Sequence, residues 1–502
     1  MYLEDLGKIA PALVLTFVSL AALVLDLVRK GRDSRYVGYL TLGGLVVTAF
    51  LLLGQWSRLA SGGSEQAFGM VRLDLFGTFF KLFTVGSLAV VALFVLADRR
   101  ERKHDIGEYY FLLLGAAIGI FFMVSTNNLL LMMLGLELLS LASYSLAGFH
   151  KGDRKSAEAA MKYVIFGGLS AGVMLYGISL LYGLTGTIDL VAMGGPAGLA
   201  EQFDRSPVPV AVAVVLILAG FAYKVSVVPF HFWTPDVYEG APTPVTTFLA
   251  VASKAAGFAV LLRFSGALFF AEGVAANVAE YGDRIGLLFA VLAAVTMTLG
   301  NLSALRQASL KRMLAYSSIA HAGYALMGLA VMNETGVSAA MLYLAAYYFM
   351  NLGAFGFLLY FEGVTGSDSV ESLKGMGAKA PWITISMVVF LVSLVGLPPT
   401  VGFYGKYVLI EAVWGASFAP WLLVFLAVNT VVSLFYYFRV AKALFLAPES
   451  DREAQPQWLM QGILVSLAAL TVIFGLRPDS IKEWSDSGSA SLELEQQVSR
   501  GN

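Results

Sequence analysis

VAVAVVLILAGFAYKVSVVPFHFW, from Val210 to Trp233, reads as a membrane helix that carries a lysine and is then broken. Lys224 lies in its apolar run and Pro229 follows about a turn later. A second apolar stretch, Trp382 to Trp414, repeats the design, with Pro398-Pro399 at its centre and Lys406 shortly after. An ammonium in lipid costs about 2.5–3.5 kcal/mol even on the most lenient scale. Interrupted helices at corresponding places in two halves of a chain point to an ion pathway. Two such helices, each with one lysine, point to a proton or cation translocator.

The rest of the chain supports a membrane setting. It has 502 residues, 58% of them hydrophobic and 13% charged, with a mean hydropathy of +0.75. That composition excludes a soluble globular domain. Apolar windows of about 20 residues fall near 9–28, 36–56, 74–97, 108–126, 128–149, 158–183, 208–231, 243–269, 285–305, 310–332, 337–361, 381–414, 419–445 and 458–476. The expected fold is an all-α polytopic membrane protein of about fourteen spans, forming one membrane domain with short polar connections. Span eight is expected to follow a proline-rich hinge, Pro235 to Pro244, and the polar tail 477–502 is expected to fray. The start, MYLEDLGKIAP, has no basic n-region, so the first apolar segment reads as a retained helix.

Several chemistries drop out. Cysteine is absent, which removes disulfides, cysteine-ligated iron–sulfur clusters and thiolate zinc sites. The four histidines, His104, His150, His231 and His321, make no close pair, which argues against a haem subunit. Gly402 to Tyr407, GFYGKY, fails the spacing of a phosphate-binding loop. The net charge of −1 says nothing about partners.

Lysine and arginine set the orientation. Odd-numbered loops hold Arg29, Lys30, Arg32 and Arg35, then Arg99, Arg100, Arg102 and Lys103, then Lys151, Arg154 and Lys155. Later odd loops hold Arg306, Lys311, Arg312, Lys374, Lys379, Arg439, Lys442 and Arg452. Even loops hold mainly Arg58, Arg72, Arg205 and Arg284. Odd loops are therefore expected in the cytoplasm and both termini outside. Residues 1–107 supply helices one to three. Spans four to eight (108–269) and nine to thirteen (285–445) are expected to be inverted five-helix repeats, because a shift of five helices inverts topology. Span seven and span twelve are the broken helices, and 458–476 is the fourteenth span.

Each charge inside a span is a candidate site. Glu137 lies among leucines in NNLLLMMLGLELLSLASYSLAGF and is expected to pair with Lys224. Lys224 is the leading proton carrier, beside a break that Pro229 opens to water. Lys254 lies among small residues in TTFLAVASKAAGFAVLLRF, which leave room for a relay. Lys406 is too deep to snorkel easily, and Glu411 lies nearer the outer end as an exit candidate. A histidine side chain ordinarily titrates near neutral pH, which makes His321 a candidate for proton transfer, although a lone histidine also serves as a hydrogen-bonded core residue. Lys162 is about one turn in from a basic loop, where snorkelling competes with function. His231 beside Trp233 reads first as part of an interfacial anchor. Arg263 is expected to snorkel, and Lys81 to snorkel or to pair with Asp74. His104 and His150 fall in charged loops and read as solvated.

Three stretches carry a resemblance: AYKVSVVPFHFWTPDVYEGAPTP (Ala222 to Pro244), LKRMLAYSSIAHAG (Leu310 to Gly323) and GLPPTVGFYGK (Gly396 to Lys406). Together they resemble the antiporter-like subunits of proton-pumping NADH–quinone oxidoreductase, respiratory complex I, over the whole span pattern. The resemblance implies fourteen helices with two inverted five-helix repeats. It places the family's helix-five glutamate on Glu137 and its lysines of helices six, seven, eight and twelve on Lys162, Lys224, Lys254 and Lys406. The twelfth-helix position is glutamate in the M subunits, and the L subunits continue into a long lateral helix, so the pattern is that of the N subunits. The resemblance further implies that NADH, FMN, iron–sulfur clusters and quinone belong to partner subunits, with no cofactor or metal in this chain. The implied partners are the neighbouring antiporter-like and small membrane subunits, and the implied location is the bacterial inner membrane. The alternative reading is a subunit of a multi-subunit sodium–proton antiporter, which shares this fold.

Overall fold

The computed structural model describes residues 2–29, 35–98, 100, 106–194, 198–199, 201–269, 276–416, 419–446 and 457–498. His104 lies outside the described residues, as do Lys30, Arg32, Arg99, Arg102, Lys103 and Arg452 of the orientation argument.

The chain opens with a short helix α1 (Tyr2–Lys8), then α2 (Ala10–Val28) and α3 (Arg35–Gly62). A small hairpin, β1 (Glu65–Ala67) paired antiparallel with β2 (Val71–Leu73), leads into α4 (Leu75–Ala97). Then come α5 (Ile106–Met123), α6 (Leu129–Ala147), α7 (Arg154–Thr185) and two short turns of helix, α8 (Leu190–Gly194) and α9 (Glu201–Arg205). The seventh span is α10 (Pro207–Val225), broken at its end, and α11 (Trp233–Gly240) follows the break outside the apolar span. The eighth is α12 (Thr243–Phe248), a π turn (Leu249–Ser253) and α13 (Lys254–Phe269). The second half holds α14 (Ala276–Leu305), α15 (Leu310–Ala330), α16 (Glu334–Thr365), the broken pair α17 (Pro381–Val395) and α18 (Val401–Trp414), and α19 (Trp421–Phe445). It closes with α20 (Trp458–Leu476) and α21 (Asp479–Val498).

Among the described residues, twelve helices are long and apolar enough to cross a membrane. The two remaining apolar windows fall on α15, which carries Lys311, Arg312 and His321, and on the pair α17–α18. The span from Thr243 to Phe269 is the axis of the bundle: every residue of its apolar window is buried. Lipid-facing flanks such as α7 and α19 instead expose Leu169, Val428 and Phe435.

Two sets of elements match in detail. Helices α7 and α16 each run 32 residues, from caps at Asp153 and Asn333 to left-handed glycines at Gly186 and Gly366. Asn128 and Ser309 cap α6 and α15, a carboxamide and a hydroxyl accepting from orphan amides of the first turn. The segment after each long helix then pairs back beside that cap. Leu129 N donates to Ile188 O and Leu190 N to Asn127 O; Leu310 N donates to Asp368 O and Val370 N to Ala308 O. Close packing repeats too. A Cβ on Gly119 or Gly135 would strike the facing backbone of α6 or α5, and one on Gly300 or Gly323 would do the same between α14 and α15.

Two expectations change. The stretch PDVYEGAPTP is no hinge: most of it is helix α11, and Pro235 fits because the first turn of a helix needs no intrahelical amide. The tail does not fray over 479–498. It forms α21, whose Ser485, Ser489 and Leu492 are buried, one face at helical spacing. Trp484 stacks on Trp56 at 5.1 Å, Ser338 donates to Asp486 at 2.5 Å, and Phe76 N donates to Ser491 Oγ at 3.0 Å.

Candidate proton path through the bundle

The first break begins where α10 ends. Ser226 adopts the left-handed conformation (φ 64°), and the Val228–Pro229 peptide is cis. Backbone groups freed there find partners: Val227 N donates to Ala222 O at 2.9 Å and Val228 N to Thr296 Oγ1 at 3.1 Å; across the break the Thr234 hydroxyl donates to Ser226 Oγ at 2.7 Å. Lys224 occupies the last turn of α10, is 2% exposed, and donates to Ser140 Oγ at 3.3 Å. Its Nζ lies 6.0 Å from the centre of the Tyr163 ring, which stacks on Trp233. Glu137 lies one turn before Ser140 on α6, half-buried, with Oε1 enclosed and lacking a hydrogen-bond partner. Its charge reaches Lys224 through space, but the expected contact ion pair is absent: the lysine has taken a neutral hydroxyl instead.

Lys254 is the first residue after the π turn on the central span. It is 2% exposed and donates to Ser318 O at 2.8 Å and to the Ser318 hydroxyl. Tyr347 Oη donates to that same hydroxyl at 2.8 Å. The π turn places an extra residue in the helix ahead of Lys254, a distortion that recurs at functional sites.

His321 continues the line on α15. Its Nδ1 is 2.6 Å from Tyr343 Oη and its Nε2 is 3.3 Å from Tyr437 Oη, which in turn bonds Ser317. The imidazole packs against Tyr347 on the Lys254 side and Tyr324 on the other.

Lys406 lies beyond the second break, formed by left-handed Gly396 and a cis Pro398–Pro399 peptide. Its Nζ donates to Val395 O at 2.8 Å and Thr430 Oγ1 at 3.0 Å, and lies 4.4 Å from the centre of the Tyr324 ring. Tyr324 Oη accepts from Asn301, whose side chain also binds Asn429 and Tyr436. Among the described residues, Lys224, Lys254 and Lys406 are all buried and none forms a contact ion pair. Charge alone marks the lysines in the sequence. Ser318, Tyr324, Tyr343, Tyr347, Tyr437 and Asn301 escape that search, because tyrosines and serines in apolar spans look like ordinary packing.

The remaining candidates lie elsewhere. Lys162 is 37% exposed and joins an ionic cluster at the basic end of the bundle. It binds Asp236 at 2.6 Å and Glu158 at 2.8 Å, while Arg312 binds Asp236 at 2.7 Å and Glu239 at 2.8 Å. Glu411 is exposed on the last turn of α18. His231 is buried at the first break with Nδ1 unpartnered, more enclosed than an interfacial anchor; His150 is half-buried.

Arg263 does not snorkel. It is 1% exposed and grips Asp74 at 2.7 and 2.9 Å, with further bonds to Asn127 Oδ1 and Val124 O. The Asp74 carboxylate, which the sequence offers to Lys81 as one of two alternatives, here neutralises the buried guanidinium. Lys81 is buried, makes no contact ion pair among the described residues, and sits 5.7 Å from the centre of the Phe121 ring.

Residues 126–433 match the family described as NADH:quinone oxidoreductase/Mrp antiporter, transmembrane. The chain is 42% identical to NADH-quinone oxidoreductase subunit N of Anaeromyxobacter sp. (strain Fw109-5), covering 96% of each. It is 39% identical to NAD(P)H-quinone oxidoreductase subunit 2 of Prochlorococcus marinus (strain MIT 9303), covering 98% of this chain and 93% of that one. A chain in respiratory complex I from Thermus thermophilus with bound aureothin superposes with a TM-score of 0.77 at 34% identity, covering 94% of this chain and 98% of that chain. A chain of the Mrp complex from Dietzia sp. DQ12-45-1b shares the fold, with a TM-score of 0.86 at 20% identity over 98% of each. The chain belongs to the NADH-quinone oxidoreductase subunit N family, a branch of the NADH:quinone oxidoreductase/Mrp antiporter membrane proteins.

Proposed function

We infer that this chain is the proton-translocating membrane subunit of an NADH–quinone oxidoreductase of the bacterial inner membrane. Hydride and quinone chemistry belongs to partner subunits, with their NADH, FMN, iron–sulfur clusters and quinone. One observation supports the reading above the others: Lys224, Lys254 and Lys406 are buried and held by hydroxyls and carbonyls, with His321 and its tyrosines between Lys254 and Lys406. A buried ammonium held only by neutral acceptors can exchange its proton without first breaking an ion pair. A structural scaffold gains nothing from three such groups, each costing about 2.5 kcal/mol or more.

A proton enters from the cytoplasm, near the Lys162–Asp236–Arg312 cluster, and is held at Lys224. It passes to Lys254, then by Ser318, Tyr347 and His321 to Lys406. Glu137 acts on Lys224 through space, so a shift of either group retunes the other, and the set titrates as one coupled system. The matched pairing beside Asn128 and Ser309 supports reading 108–269 and 285–445 as inverted repeats, and the lysine and arginine bias of the odd loops supports both termini outside. Neighbouring membrane subunits cover part of the lipid-facing flank.

Removal of the gene tests this reading. Loss of NADH-driven, quinone-dependent proton uptake in inverted vesicles is expected. Undiminished uptake and NADH–quinone activity, with loss of sodium–proton exchange, would assign the chain to a separate antiporter.

A further inference from the structure

At the basic end of the bundle, away from the proton path, a cavity of about 520 Å³ opens between the end of α19 and the loops before α15 and α17. Among the described residues, Lys374, Arg439 and Lys442 line it, with Glu371 as the single carboxylate. Lys374 pairs with Glu371. Arg439 gives its guanidinium to two carbonyls, Leu305 O and Gln307 O, and Lys442 has no partner among the described residues. Among the described residues, the cavity therefore keeps a positive charge that no carboxylate neutralises.

Its walls are preformed. Val370 N donates to Ala308 O, Gly375 N to Ala443 O, and Gly377 N to Leu444 O. The first ties the floor to the start of α15, and the other two tie the loop to the last turn of α19. Below the cavity, α19 presents an exposed apolar stripe. Val428, Val431, Phe435 and Phe438 follow one another at helical spacing, and the same line runs on into Lys442 and Leu446. A lysine at a helix C-terminus and an arginine on the last carbonyl of α14 have a capping use, but capping calls for neither the cavity nor the stripe.

We propose that this cavity binds the phosphate headgroup of an anionic glycerophospholipid, whose acyl chains lie along the Val428–Phe438 stripe of α19. Basic pockets at a membrane surface favour such headgroups, and the charge and apolar surface here are placed in the order a lipid presents them.

The test uses the intact complex carrying a photoreactive residue in place of exposed Leu446, in vesicles of phosphatidylglycerol or of phosphatidylcholine. Covalent lipid adducts are counted by mass spectrometry. Phosphatidylglycerol should label several-fold more than phosphatidylcholine. The Lys374→Gln/Lys442→Gln pair should cut that labelling about twenty-five-fold, since each basic group near an anionic headgroup is worth about a factor of five. Both side chains are exposed, and Arg306→Gln, at the same end but outside the cavity, should leave labelling unchanged. If the pair fails to assemble, the wild-type preference between the two lipids decides alone. Equal labelling by both lipids, no loss in the pair, full competition by inorganic phosphate, or capture of another subunit's peptide in place of lipid would each overturn the proposal.

Discussion

Lys406 of α18 donates through Nζ to the carbonyl of Val395, the last residue of α17, across 2.8 Å. The lysine of one half-helix thus closes the open end of the other, where the helix dipole favours a cation. Lys406→Arg should keep the cation, and with it assembly, yet stop transfer, because a guanidinium does not release its proton. NADH-driven proton uptake should fall about a hundredfold, the low end for a positioned proton-transfer group, while Lys406→Arg and wild type assemble to similar yield. Near-normal uptake in the arginine variant would show that only the charge matters there.

Gly396 is placed under the same side chain. Its φ is +85°, and a Cβ would lie 2.8 Å from Lys406 Cδ. Gly396→Ala should therefore cost about 1–2 kcal/mol from backbone strain and also displace the lysine. At Gly366 (φ +69°) a Cβ meets nothing within 4 Å, so Gly366→Ala should bear the backbone cost alone. Thermal unfolding of the detergent-solubilised complex should show a loss of Tm for both, and proton uptake a loss for Gly396→Ala only.

Asp74 and Arg263 tie α4 to the central span in a pair that is 0% and 1% exposed. Asp74→Ala strands a guanidinium in the protein interior, at a cost of about 3–5 kcal/mol. Arg263→Lys loses the second guanidinium nitrogen, which donates to Asn127 Oδ1 at 3.2 Å, and is no conservative exchange. Both should lower the amount of assembled complex on native gels. Activity per assembled complex should change far less.

The ionic cluster predicts a pH effect. Burial on its own would raise the carboxyl of Asp236, but hydrogen bonds from Lys162 and Arg312 outweigh it and hold the group below its ordinary range. Its folded-state pKa is depressed, so its stabilising contribution is complete above the ordinary carboxylate range and is lost as pH falls through the folded value. Asp236→Asn should flatten the acid side of the Tm–pH curve of the complex. An unchanged acid limb would mean that Lys162 and Arg312 do not stabilise the folded state through Asp236.

Much of the site is legible in the sequence, because proline breaks and intramembrane lysines are rare and each has a physical consequence. Pro229, Pro398 and Pro399 mark the breaks, and Lys224, Lys254 and Lys406 are buried beside or between them. The π turn before Lys254 carries no proline or glycine to announce it. Arg263 misleads because depth cannot be read from its position near the end of a span, and its partner is 189 residues away. Helix α21 misleads because small polar residues, Ser485 and Ser489, form its buried face in place of a hydrophobic stripe. The matched breaks also hide a difference. Seven residues after each break proline stand Asp236 in one half and Lys406 in the other, so the two lysines of the broken helices are not equivalent positions.

Proton uptake per NADH oxidised in inverted vesicles, wild type against Lys224→Ala at matched assembly, tests the proton path most directly. The buried lysine line predicts that the variant loses pumping, together with the turnover coupled to it. Normal uptake per NADH in fully assembled Lys224→Ala complex would contradict a path through Lys224.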